Sequence, residues 1–149
     1  MIRGLISEGK RGRIFKHWKP IPAADFDALP YPSIYGLDFG FYPDPAALVE
    51  LKYHNRTVWC KQRIYQTGLT NPKLSAEFER LGIDPNVPIY ADSQENKSIQ
   101  ELQDLGWNVL PADKGPGSVN ARYDFFQDAE VYYTEDSPDI EREVQDHCW

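Results

Sequence analysis

A chain of 149 residues with 41% apolar and 13% aromatic side chains holds enough apolar material for one folded domain with a sizeable core. No apolar run approaches the roughly 18 residues of a membrane span, and the start lacks a signal-peptide core, so no membrane role is expected. The net charge of −7 is uneven: Arg3, Lys10, Arg11, Arg13, Lys16 and Lys19 against Glu8 make residues 1–20 basic, and the remainder is strongly acidic, which argues against a protein that coats nucleic acid but allows a site that gathers carboxylates around metal ions.

Residues 1–32 read as a basic, proline-rich connector. Gly4, Gly9 and Gly12 interrupt any helix, Ile14 to Trp18 suit one short strand, and Pro20, Pro22, Pro30 and Pro32 enforce extended backbone. Its charge suits a phosphate-seeking segment, and a solvated linker accounts for it equally well. A strand is then expected over Ile34 to Phe39, with Gly36 and Gly40 marking turns or close backbone approach. Asp38 falls inside this apolar run, where a charge needs a cation, a metal or hydrogen bonds beside it.

Strands over Ala47 to Tyr53 and Arg56 to Tyr65, joined at His54-Asn55, complete three antiparallel strands. The period then changes to about 3.6. Asn71 is expected as an N-cap with Pro72 at the first helical position, Leu74, Phe78 and Leu81 form one face, and Gly82 stops the helix. Val87 to Ala91 is a strand ending in Asp92; Ile99, Leu102 and Leu105 mark a helix closed by Gly106. Trp107 to Leu110 is the next strand, Ser118 caps a helix with Val119, Tyr123 and Phe126 inward, Val131 to Thr134 is a strand, and Ser137-Pro138 opens a last helix with Ile140, Val144 and Cys148 on one stripe. Cys60 and Cys148 lack metal-ligand spacing and read as free thiols of a reducing compartment.

This order predicts an α/β fold: a mixed sheet, three antiparallel strands followed by alternating strand and helix, with helices on both faces. Right-handed crossovers put the strand ending at Asp92 parallel to, and beside, the strand of Asp38. Two carboxylates so placed repel unless neutralised, and Mg²⁺ or Mn²⁺ favours such ligands. Two ions about 3.5–4 Å apart activate water and stabilise the leaving oxygen of a phosphodiester. Pattern alone favours the rival reading slightly, in which both acids are ordinary strand ends facing solvent.

Tyr35-Gly36-Leu37-Asp38-Phe39-Gly40, followed by Asp44-Pro45-Ala46-Ala47-Leu48-Val49, resembles the opening of the C-terminal nuclease domain of phage terminase large subunits. The likeness continues through Tyr65-Gln66-Thr67-Gly68-Leu69-Thr70-Asn71, Ala91-Asp92-Ser93 with Lys97-Ser98-Ile99, Lys114-Gly115-Pro116-Gly117-Ser118-Val119, and Glu143 with Trp149; Gly12-Arg13-Ile14-Phe15 with Trp18 resembles the segment leading out of that family's ATPase domain. It implies a ribonuclease H-like fold and a Mg²⁺- or Mn²⁺-dependent endonuclease, phage or prophage encoded, that cuts concatemeric double-stranded DNA during packaging in the bacterial cytoplasm. Its implied partners are double-stranded DNA, the terminase ATPase domain, the small terminase subunit and the portal.

By position, the resemblance makes Asp38 and Asp92 the catalytic, metal-binding carboxylates, with Asp38 bridging both ions of a two-metal site. The family's third acid follows the tryptophan-containing helix, beyond Trp149, and Asp146-His147 falls too early to be it. The expected division is therefore a connector over 1–32, leading from an ATPase domain, and a nuclease domain over 33–149 that lacks its last ligand, so cleavage by this chain does not follow from the resemblance. Asp44 is a candidate outer ligand, with a turn-forming Asp-Pro as the more common role. Lys97 and Lys114 are candidates for DNA phosphate contact, with solvated lysine as the rival. Alternative functions are a non-catalytic module that holds DNA in the packaging motor, or another ribonuclease H-like nuclease such as a junction resolvase. No Walker-type lysine loop is present, so ATP-driven translocation is excluded for this sequence.

Overall fold

A computed structural model of the chain describes residues 18–40, 44–112 and 130–147, with side chains up to residue 142. Lys114 and the helix expected from Ser118 lie outside the described residues, and Glu143 is placed in the last helix by its backbone alone. The elements are β1 (Trp18–Ile21), α1 (Ala23–Ala28), β2 (Ser33–Asp38), β3 (Ala46–His54), β4 (Thr57–Gln66), α2 (Asn71–Arg80), β5 (Ile89–Asp92), α3 (Asn96–Asp104), β6 (Val109–Ala112), β7 (Glu130–Thr134) and α4 (Pro138–His147). The strands form one mixed sheet in the order β1-β7-β4-β3-β2-β5-β6, with β3 antiparallel to both neighbours and every other pair parallel. This is the expected α/β architecture, with three consecutive antiparallel strands followed by alternating strand and helix.

The β3–β4 hairpin closes through Asn55 and Arg56, both at positive φ (56° and 64°), the two-residue turn whose twist matches that of the flanking strands. Further along the pair the register shifts: Leu48 faces Ile64 while Val49 faces Gln62, leaving Arg63 as the extra residue of a bulge. Arg63 donates to Glu50, which also accepts from Ser33 Oγ, so the half-buried charges satisfy each other.

One face of the sheet, bearing Tyr35, Leu37, Leu48, Ile64, Ile89, Ala91 and Val109, is covered by α2 and α3 through Leu74, Phe78, Ile99 and Leu102. The cap of α2 is Thr70, whose Oγ1 accepts from Lys73 N at 3.4 Å, one residue before the expected Asn71. The strand expected over Trp107 to Leu110 begins instead at Val109. Trp107 is drawn into the core, where its indole Nε1 donates to Ser75 Oγ at 2.8 Å.

The sheet also takes in part of the stretch read as a connector. β1 pairs with β7, and α1 docks on the helical face by Phe26, which is fully buried. The buried Lys52 fastens it: Nζ donates to Phe26 O at 2.9 Å, a carbonyl that also accepts from Leu29 N, and to Leu29 O at 3.2 Å, just past the helix end. Tyr31 stacks between His54 and Trp59, with centroids 4.4 and 5.4 Å away.

Two buried groups make the fold sensitive to alkali. Burial pushes the Cys60 thiol from 9.0 up to about 12, and burial followed by the charge of Glu50 raises the Tyr35 phenol from 10.0 to about 12. Both are held neutral in the folded chain and ionise earlier in the unfolded one. Their stabilising contribution is therefore intact below pH 9 and lost as pH rises toward 12, at no more than about 1.4 kcal/mol per pH unit for each. Urea midpoints are expected to fall steadily from pH 9 to 11, and Cys60→Ala to flatten the lower part of that decline.

Candidate active site

The parallel pairing of β2 with β5 matches Tyr35 to Ile89, Gly36 to Tyr90 and Leu37 to Ala91. One further step sets Asp38 beside Asp92, on strands about 4.8 Å apart. Since Leu37 and Ala91 point into the core under α2 and α3, the alternation of a strand sends both acids to the opposite face. Asp38 is matched to Ala47 on β3 and Asp92 to Ala112 on β6, so a single row across this face reads alanine, acid, acid, alanine. Both alanines are buried and both acids half-buried at the carboxyl ends of parallel strands, the edge where open α/β sheets hold ligands.

The two carboxylates are held alike. Gly40 N donates to Asp38 Oδ1 at 3.0 Å, and Gln94 N donates to Asp92 Oδ1 at 2.8 Å. In each case the strand ends in a turn whose amide, two residues on, fixes one oxygen of the acid, a charge-assisted bond stronger than one between neutral groups.

Helix α4 is anchored to the same face. Gln62 N donates to Ser137 Oγ at 2.9 Å, Gln62 Nε2 donates to Asp139 Oδ2 at 2.8 Å, and Gln62 Oε1 accepts from Asp139 N at 2.9 Å. Thr134 and Ser137, both fully buried, share a hydrogen bond of 2.6 Å between their hydroxyls. Gln62 was not singled out from the sequence. The Ser-Pro start of α4 is a readable signal, whereas its partner lies 75 residues earlier in the chain.

Of the remaining candidates, Asp44 is exposed where the chain returns toward β3, at the same end of the sheet as Asp38. Lys97 is exposed in the first turn of α3, the helix that follows Asp92. Among the described residues no group of three or more histidine, cysteine, aspartate or glutamate side chains is placed to hold a metal ion. The oxygen donors of Asp38 and Asp92 suit a hard divalent cation, which takes its other ligands from water or phosphate. Among the described residues no helix is long and apolar enough to cross a membrane.

No family model matches the chain. It is 42% identical over 91 residues to the terminase large subunit of Bacillus phage SPP1, covering 56% of this chain and 21% of that protein. It is 33% identical over 85 residues to the PBSX phage terminase large subunit of Bacillus subtilis (strain 168), covering 56% and 19%. The chain thus spans about a fifth of the length of these curated relatives. Among solved structures, the nuclease domain of the SPP1 large terminase g2p, crystallised with bound Mn, superposes with a TM-score of 0.72 at 23% identity, over 88% of this chain and 78% of that one. The P22 large terminase nuclease domain gives 0.62 at 14% identity over 89% and 77%, and the large terminase nuclease of thermophilic phage G20c gives 0.59 at 16% over 90% and 80%. These likenesses establish the ribonuclease H-like fold of terminase nuclease domains.

Proposed function

We propose that this chain, a homologue of phage terminase large subunits folded like their nuclease domains, is a divalent-metal-dependent DNA endonuclease that cuts concatemeric double-stranded DNA during packaging. The observation that supports this most is the β2–β5 register, which sets Asp38 beside Asp92 at the edge of the sheet. These two would hold Mg²⁺ or Mn²⁺, as the SPP1 nuclease domain holds Mn. When bound, such an ion lowers the pKa of a water and offsets charge on the leaving oxygen of a phosphodiester. The chain's own part is positional. The amides of Gly40 and Gln94 orient the carboxylates, and Gln62 holds α4 on that face.

Asp44 serves in this reading as an outer ligand, and Lys97 and Lys114 contact DNA phosphates. Residues 1–32, whose later part joins the fold as β1 and α1, lead from an ATPase domain into a nuclease domain over 33–149, and the small terminase subunit and portal are further partners in the host cytoplasm. The test is conversion of supercoiled plasmid to nicked and linear forms in Mn²⁺. The wild type is expected to cut and Asp38→Asn to fail; equal cutting by both rejects the reading. A second reading is a module that holds DNA without cutting it. Mn²⁺ uptake and DNA retention in gel shifts, with no cleavage, would be its signature.

A further inference from the structure

We infer that Gly40 is a positioning residue for Asp38, an inference that rests on the endonuclease reading and adds a determinant of its metal site. Three observations converge on this position. Its φ is +55°, in the left-handed region that residues with a Cβ rarely adopt. A Cβ built there would lie 1.7 Å from Pro45 O, 2.3 Å from Pro45 C and 2.9 Å from Ala46 N, all backbone atoms that no change of rotamer can move aside. And Gly40 N is the donor to Asp38 Oδ1.

The same backbone conformation therefore does two things. It aims the residue-40 amide back at the carboxylate, and it lets the chain entering β3 pass against the end of β2. Ala47, one residue past the Pro45-Ala46 contact, is matched to Asp38 in the sheet. Any side chain at position 40 must separate Asp38 from its amide donor or lift Pro45 and Ala46 away from β2. Either change moves a carboxylate relative to Asp92. Asp92 needs no such glycine, since its donor is the amide of Gln94. The dependence is thus confined to one half of the pair.

Gly82 provides a matched control. It has φ +73°, and a Cβ there meets nothing within 4 Å, so Gly82→Ala carries the left-handed strain without the collision. Mn²⁺ affinity is read by the loss of free-ion electron paramagnetic resonance signal, alongside the melting temperature of the metal-free protein. Wild type and Gly82→Ala are expected to bind Mn²⁺ alike and Gly40→Ala about 10- to 100-fold more weakly, the range found when groups supporting a metal ligand are lost. A second measurement stands even if Gly40→Ala folds poorly. In wild-type protein the Gly40 amide resonance is expected to move on Mg²⁺ titration, and in Asp38→Asn to stay still.

Wild-type protein that takes up no Mn²⁺ overturns the endonuclease reading itself. Equal Mn²⁺ binding by wild type and Gly40→Ala, or a Gly40 amide indifferent to Mg²⁺ in a wild type that binds it, overturns the role of Gly40 alone.

Discussion

Asparagine in place of Asp38 is expected to abolish Mn²⁺-dependent cleavage while leaving the metal-free protein close to the wild type in stability. Asp38 and Asp92 stand side by side on adjacent strands, so their negative charges repel, while each also accepts a charge-assisted hydrogen bond from a turn amide. Both are half-buried, so screening by solvent reduces their repulsion to about 1 kcal/mol or less. Asparagine keeps the oxygen that accepts from Gly40 N and removes the charge. Relief of repulsion and the weaker bond to Gly40 N oppose each other, so the metal-free variant should melt within roughly 2–4 °C of the wild type, the shift that about 1 kcal/mol gives a chain of this size.

Mn²⁺ separates the two. An ion present at about 100 times its dissociation constant stabilises the native state by about 2.7 kcal/mol. The wild type should gain that, and Asp38→Asn and Asp92→Asn should gain almost nothing. Cleavage in both variants should fall by more than the roughly 100-fold that loss of an outer partner of a metal ligand costs. Thermal scans with and without Mn²⁺ decide the matter: acids that merely cap strands toward solvent would give three curves that shift together.

The second large effect is structural. Phe78→Ala is expected to cost about 3–5 kcal/mol, a large part of the 5–15 kcal/mol that holds a domain of this kind together. Phe78 is fully buried and meets the edge of Trp107 at 5.1 Å between centroids and 85° between planes. The indole of Trp107 is itself fixed by Ser75, so neither neighbour can swing in to fill the space. The lost ring belongs to the same core cluster as Leu37, Ile89 and Ala91, on the reverse side of the strands that carry the acids. Urea unfolding should show a lower midpoint with an unchanged slope, and Mn²⁺ affinity should weaken as the β2–β5 pair loosens.

Asp38 and Asp92 were readable because their meeting depends on local signals. Alternating apolar residues define β2 and β5, glycines end the helices between strands, and the handedness of crossovers leaves few places for β5. What escaped the sequence depends on distant partners. β1 has four residues and α1 six, too few to show a period, and their fit comes from β7 and from Lys52. Four prolines make that stretch look like pure linker, yet β1 lies at the edge of the sheet, where a proline such as Pro20 is tolerated. Lys52 reads as a solvated lysine on a hairpin until two helix-end carbonyls are set above it. The bulge at Arg63 is invisible without the pairing of β3 and β4, and it is this shift that turns Gln62 toward α4.

The partnership of β1 with β7 sets Trp18 opposite Val131, at nearly opposite ends of the described chain. Contacts between residues so far apart in sequence form late, because the entropy of closing a long loop must be overcome first. On a ribosome the β2–β3–β4 meander can assemble soon after it emerges, while Trp18–Ile21 waits until most of the chain has been made. During that interval it is a short strand with no neighbour, open to pairing with another nascent chain. Lys19 and Pro20 at its centre are the residue types that discourage such pairing.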